Sequence, residues 1–164
     1  MNGVTGANRT LLAALLATVA MLFTAFAAAY LERRAVPAEW ARIPLPGIVW
    51  GSTLILLLSS GTLEAARRTG RQGLLHLTQV LGLLFLAGQA AAWLRLRDAG
   101  VFLPTSPHGS FFYVLSAVHG VHVVAGLVAL AVTSRRPALL GLAAGFWHFM
   151  ALVWLYVLFV LQVL

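Results

Sequence analysis

No cysteine occurs among the 164 residues. Disulfides, thiolate nucleophiles, iron–sulfur ligation and cysteine-type zinc sites are therefore excluded together. Lysine is also absent: all 11 basic residues are arginine, set against four acids. Charged residues make up 9% of the chain and apolar ones 61%, whereas a soluble domain carries about 25% charge and about 45–50% apolar residues. With a mean hydropathy of +0.93, a chain this short holds more apolar surface than it could bury in a core of its own. A water-soluble fold is excluded, and the solvent is lipid. The formal charge of +7 does not mark a nucleic-acid binder, whose basic residues would gather on one folded face. Here the arginines stand between apolar runs, at membrane interfaces.

Five runs are long enough to cross a bilayer core, which takes about 20 apolar residues per helix. They cover approximately 11–31, 47–66, 74–96, 111–132 and 138–164, and predict a single membrane domain over 1–164: an all-α bundle of five transmembrane helices. All six prolines lie between the runs, so broken, transporter-type helices are not indicated. The first run is too long in its apolar part for a signal peptide and reads as a helix. Five spans put the termini on opposite sides. The N-terminal side collects Arg9, Arg67, Arg68, Arg71, Arg135 and Arg136; the other collects Arg33, Arg34, Arg42, Arg95 and Arg97. By the positive-inside rule this small excess favours a cytoplasmic N-terminus.

Inside the spans a polar side chain needs a partner in the bundle or a wet cavity. The only acid there is Glu64, near a span end, which disfavours an ion-coupled transporter. His119 and His122, three apart, project from one helical face, while His76 and His148 lie in the third and fifth spans. Two readings follow: axial ligands of a membrane haem b, for instance His122 with His148, or imidazoles hydrogen-bonded between helices. Ser59, Ser60, Thr78, Gln89, His119 and His148 are the expected interhelical bonding groups. Trp50, Trp93, Trp147 and Trp154 are expected as core or interface anchors. Two G-x-x-x-G patterns, Gly47/Gly51 and Gly141/Gly145, are candidates for close helix approach.

Three stretches, taken in order and spacing, are more specific than any of these features alone. They are Thr53–Leu58 followed by Ser59-Ser60; Gly109-Ser110-Phe111-Phe112 running into His119-Gly120-Val121-His122; and Phe146-Trp147-His148-Phe149 running into Val153-Trp154. The third span adds Gly82, Phe85-Leu86, Gln89 and Trp93. Together they resemble subunit III of the haem–copper terminal oxidases, the cytochrome c and quinol oxidase family, in its short five-span form.

The resemblance implies a non-catalytic accessory subunit that packs directly against subunit I, with subunit II in the same complex, and that holds phospholipid. No metal or other cofactor is then expected in this chain; haems and copper belong to the partner subunits. It implies residence in a bacterial cytoplasmic (inner) membrane, N-terminus cytoplasmic and C-terminus outside. Ser59, Ser60, Gln89, Trp93, His119, Gly120, His122, Trp147, His148 and Trp154 become motif residues with packing roles, and Arg135 and Arg136 candidates for lipid headgroups. The chain departs from the family at three membrane acids, whose places are taken by Val19, Ala92 and Ala151, so a direct proton-relay role is not expected of it. An accessory subunit of a nitric oxide reductase and a haem b electron-transfer protein are the alternatives.

Overall fold

The computed structural model describes residues 2–36, 40, 42–103, 106–134 and 136–163, with side chains from residue 6 onward. Five helices carry the chain: α1 (Asn2–Arg34), α2 (Ile48–Thr69), α3 (Gln72–Asp98), α4 (Pro107–Thr133) and α5 (Leu140–Gln162), the last entered through a 3₁₀ turn at Pro137–Leu139. Each is long and apolar enough to span a membrane, and no strand occurs among the described residues. Helices α1 to α4 extend beyond the apolar runs at one or both ends, where polar and arginine-bearing turns continue them into the interface, whereas α5 begins at Leu140, inside its run. Three helices finish on arginines (Arg33 and Arg34, Arg67 and Arg68, Arg95 and Arg97), where a cation opposes the negative end of the helix dipole.

Local signals set the boundaries. Ser106 caps α4 by accepting from the Gly109 N–H, with Pro107 at the first helical position, where a missing donor is harmless. Gly70 stops α2 in the left-handed conformation (φ 69°), donating to the Ala66 carbonyl. Only Gly70 and Arg71 separate α2 from α3, so the two form a tight antiparallel hairpin. Gly100 (φ 77°) ends α3 in a Schellman arrangement: Gly100 N–H donates to the Arg97 carbonyl and Val101 N–H to that of Leu96, both at 2.9 Å.

Helix α5 is the centre of the bundle. Of its most apolar stretch 61% is buried, against 17% for α1, and it contacts α1, α2 and α4. Leucines on α1, such as Leu11, Leu15 and Leu22, stand exposed, as expected of a peripheral helix in lipid. The core runs along α5 through Trp147, Met150, Trp154 and Val157 and is closed by Phe23, Phe85, Phe112 and Leu130.

Candidate functional site: a polar seam inside the bundle

Three buried hydroxyl groups of α2, those of Ser52, Thr53 and Ser59, form a row facing α3 and α5. Each first satisfies its own helix: Ser52 and Thr53 donate to the Val49 carbonyl at 2.9 and 2.7 Å, and Ser59 to that of Leu56 at 2.8 Å. A hydroxyl has one proton and two lone pairs, so each can then only accept across the interface. It is met by a pure donor each time. Gln89 Nε2 of α3 donates to Ser52 Oγ at 2.7 Å, Trp154 Nε1 of α5 to Thr53 Oγ1 at 2.9 Å, and Trp147 Nε1 of α5 to Ser59 Oγ at 3.0 Å. The same arrangement joins α3 to α4, where Trp93 Nε1 donates to Ser116 Oγ at 2.9 Å and Ser116 bonds back to the Phe112 carbonyl. Thr62 and Thr78 share a bond of 2.8 Å between α2 and α3. In a membrane such bonds contribute about 0.6 kcal/mol each on average and up to about 1.7.

Glycines let the large rings in. A β-carbon at Gly82 of α3 would lie 2.7 Å from Trp147 Cη2, and one at Gly126 of α4 would lie 2.9 Å from Trp147 Cε3. The Trp147 indole therefore rests between two backbones while its N–H reaches a third helix. At Gly88 a β-carbon would come within 2.7 Å of Ser52 Cβ, so this glycine brings α3 close enough to α2 for the neighbouring Gln89 to bond. The G-x-x-x-G pairs do not serve this purpose. Gly47, Gly51 and Gly141 have open space around a β-carbon and Gly145 meets only Leu12 at 3.5 Å. Chain spacing identified glycines three residues between; packing uses glycines on different helices around one ring.

The motif histidines diverge. His119 is fully buried, stacked on Trp154 (centroids 5.0 Å apart, 29° between planes) and met edge-on by Phe23 and Phe85. Neither of its ring nitrogens has a hydrogen-bond partner, so it makes no interhelical bond, contrary to the expectation from sequence. His122, half-buried, turns back to the Val118 carbonyl of its own helix at 2.7 Å and shares the Phe23 edge with His119. His148 Nδ1 lies 2.5 Å from Ser60 Oγ, and its Nε2 lies 3.8 Å from the Glu64 carboxylate. His76 is exposed at the start of α3 and pairs with Gln79. A β-carbon at Gly120 would meet only Leu86, at 3.8 Å. Val19, Ala92 and Ala151 are all buried in the apolar core. Arg136 is exposed, and the helices it connects wall an apolar groove of about 360 Å³ with Leu12, Leu15 and Phe146; Arg135 lies outside the described residues. Among the described residues no group of three or more His, Asp or Glu side chains is gathered as a metal site.

A second polar cluster escaped the sequence reading. His108, at the start of α4, accepts from the Ile43 N–H through Nδ1 (3.4 Å), so its Nε2 carries the proton given to the Leu161 carbonyl (3.0 Å). Tyr30 Oη donates to the same carbonyl and Arg42 to that of Gln162, both at 3.4 Å. The last carbonyls of a helix lack intrahelical partners; three other segments supply them here. The sequence signal was a histidine directly after the Ser106-Pro107 cap.

The seam yields a pair of measurements. Ser52→Ala leaves the Gln89 amide N–H buried without its acceptor and is expected to destabilise the bundle by roughly 1–3 kcal/mol, whereas Ser52→Ala with Gln89→Leu, which removes both partners, is expected to recover most of it. Unfolding midpoints in mild detergent read both; equal loss in the single and double variants would rule the bond out as a source of stability.

No family model matches the chain. The cytochrome c oxidase subunit 3 of Synechocystis sp. is 33% identical over 165 residues, covering 85% of this chain and 68% of the relative. That of Thermostichus vulcanus is 30% identical, covering 88% and 81%. The probable cytochrome c oxidase subunit 3 of Mycobacterium tuberculosis is 32% identical over 120 residues, and the match spans 59% of that protein's length and 63% of this chain. A five-helix membrane bundle with this similarity, over most of its length in the first two cases, belongs to the cytochrome c oxidase subunit III family.

Proposed function

We propose that the chain is a non-catalytic accessory subunit of an aerobic respiratory haem–copper oxidase. It steadies subunit I and its lipid surroundings during reduction of O2 to water. The observation that carries this reading is the use of the polar motif residues: Ser59, Gln89, Trp93, Trp147 and Trp154 each take part in a hydrogen bond that joins two helices. Such a seam builds a stiff scaffold. The haems and copper are placed in partner subunits, subunit I directly against this chain and subunit II in the same complex. The whole of 1–164 acts as one membrane domain in a bacterial cytoplasmic membrane, N-terminus inside. Phospholipid occupies the groove beside Leu12 and Phe146, with Arg135 and Arg136 at headgroup level. Neither the nitric oxide reductase alternative nor the haem b alternative gains support from the relatives or from the histidine contacts.

The test is a reduced-minus-oxidised spectrum of the tagged chain drawn from native membranes in mild detergent, then stripped of partners. Haem bands are expected in the complex and not in the stripped chain. A b-type band that stays with the isolated chain would overturn the scaffold reading in favour of a haem protein.

A further inference from the structure

Three segments meet on the last carbonyls of α5: Tyr30 near the end of α1, Arg42 and Ile43 in the connection to α2, and His108 in the first turn of α4. His108 stands at their centre. Its side chain is buried, at 1% exposure, and its ring lies edge-on to Tyr30 and Trp40, with centroids 6.2 and 5.8 Å away. The two ring nitrogens have opposite tasks. A backbone N–H can only donate and a carbonyl can only accept. The Ile43 N–H therefore requires a bare Nδ1, and the Leu161 carbonyl requires a proton on Nε2. Only the neutral Nε2–H tautomer satisfies both.

A second proton would enter at Nδ1 and point at the Ile43 N–H. The surroundings offer it no acceptor. Trp40 brings an indole N–H that itself lacks a partner, and Arg42 is a cation near enough to repel an imidazolium. Tyr30 turns its hydroxyl to the Leu161 carbonyl, on the Nε2 side of the ring. The α5 terminus meets the ring with that carbonyl, and the connection from α3 to α4 carries no titratable side chain between Ala99 and Ser106. A buried donor without an acceptor is costly. What the neutral ring holds is also the least secured part of the bundle: α1 is the helix with the smallest buried share, and Tyr30 anchors its end.

We infer that His108 is a pH-sensitive latch: neutral, it pins the connection at Ile43, and with it the end of α1, to the end of α5, and protonation from the water on that side of the membrane releases them. The direction follows from the bonding. The closed latch holds no proton at Nδ1, whereas the released imidazole binds one below about pH 6.5. Acid therefore favours the open form by about tenfold per pH unit below that value, and above it the latch is insensitive to pH.

The Ile43 amide reports on its own bond. Its hydrogen exchange is followed by NMR on the full chain in mild detergent, each rate divided into that of an unstructured peptide at the same pH. Protection is expected to be constant above about pH 7 and to fall about tenfold per unit below about 6.5, while that of Val157, buried in mid-α5, stays constant. His108→Gln is expected to abolish the fall and His148→Gln to keep it. Constant protection at Ile43 down to pH 5, an equal fall at Val157, or a fall that persists in His108→Gln overturns the latch. The assigned imidazole nitrogen signals of the unaltered chain give a reading that needs no variant. They are expected to show the neutral Nε2–H form of His108 at pH 7.5 and its protonation in step with the loss of Ile43 protection; the other tautomer, or an imidazolium already present at pH 7.5, overturns the assignment.

Discussion

Replacing Trp147 with alanine is expected to be the most damaging single change in the chain, costing about 3–5 kcal/mol as large-to-small core substitutions of this size do. The side chain is 1% exposed, donates to Ser59 on α2, and lies against the backbones of α3 and α4 at Gly82 and Gly126. One ring on α5 thus fixes the distances to three other helices, and the cavity left by its removal cannot close without moving two glycine backbones. Trp147→Phe keeps most of the volume and loses only the bond, so its cost is expected near 1 kcal/mol. Gly82→Ala attacks the same contact from the other side: its β-carbon would stand 2.7 Å from Trp147 Cη2 and 2.9 Å from Leu127 Cδ2, an overpacking worth about 1–3 kcal/mol. In Trp147→Ala/Gly82→Ala the new methyl enters the vacated space, so the two losses should sum to more than the double variant shows. Unfolding midpoints in detergent across the four proteins check this; strict additivity would mean that the indole and Gly82 are not in contact.

What could be read from the chain alone follows from period and length. Five apolar runs, each bounded by prolines or arginines, could only be membrane helices, and the placement of α1 to α5 is legible because each run exceeds the bilayer. Part of the polar seam was also legible, since Ser59 and Gln89 are costly in lipid unless partnered, whereas Ser52 and Thr53 were not anticipated as bonding groups. The partners of Ser59 and Gln89 were not legible. Which tryptophan meets which hydroxyl depends on the crossing of α2 with α5, and helix rotation leaves no trace in a sequence this uniformly apolar. For the same reason Gly82, Gly88 and Gly126 looked no different from Gly47 and Gly51, although only the first three face another helix's side chain at short range. His108 was overlooked because its work is done on the last carbonyls of α5 and on Ile43, contacts 53 and 65 residues away in the chain. The three apolar replacements at Val19, Ala92 and Ala151 became interpretable only as buried positions. A carboxylate at any of them would have to be partnered inside the bundle.

His119→Leu is expected to act in the opposite direction from the tryptophan change, raising the stability of the bundle. The imidazole is fully enclosed by Trp154, Phe85 and Phe23, and both nitrogens lack partners. A neutral imidazole carries one donor and one acceptor, and leaving such groups dry and unbonded costs roughly 1–3 kcal/mol. Leucine has similar bulk and no polar atom, so the penalty is removed at the expense of the ring stacking on Trp154, itself worth about 0.5–1.5 kcal/mol. The balance is a net gain of up to about 2 kcal/mol, read as a higher unfolding midpoint. The haem spectrum of the intact complex should not change, because this ring is fully buried inside its own chain. The same substitution discriminates between the two readings of the H-G-x-H segment. A packing histidine yields a more stable chain and an unaltered spectrum, whereas an axial ligand yields a lost or shifted b-type band. A fall in stability of more than about 1 kcal/mol would show that the imidazole is hydrogen-bonded in the membrane after all.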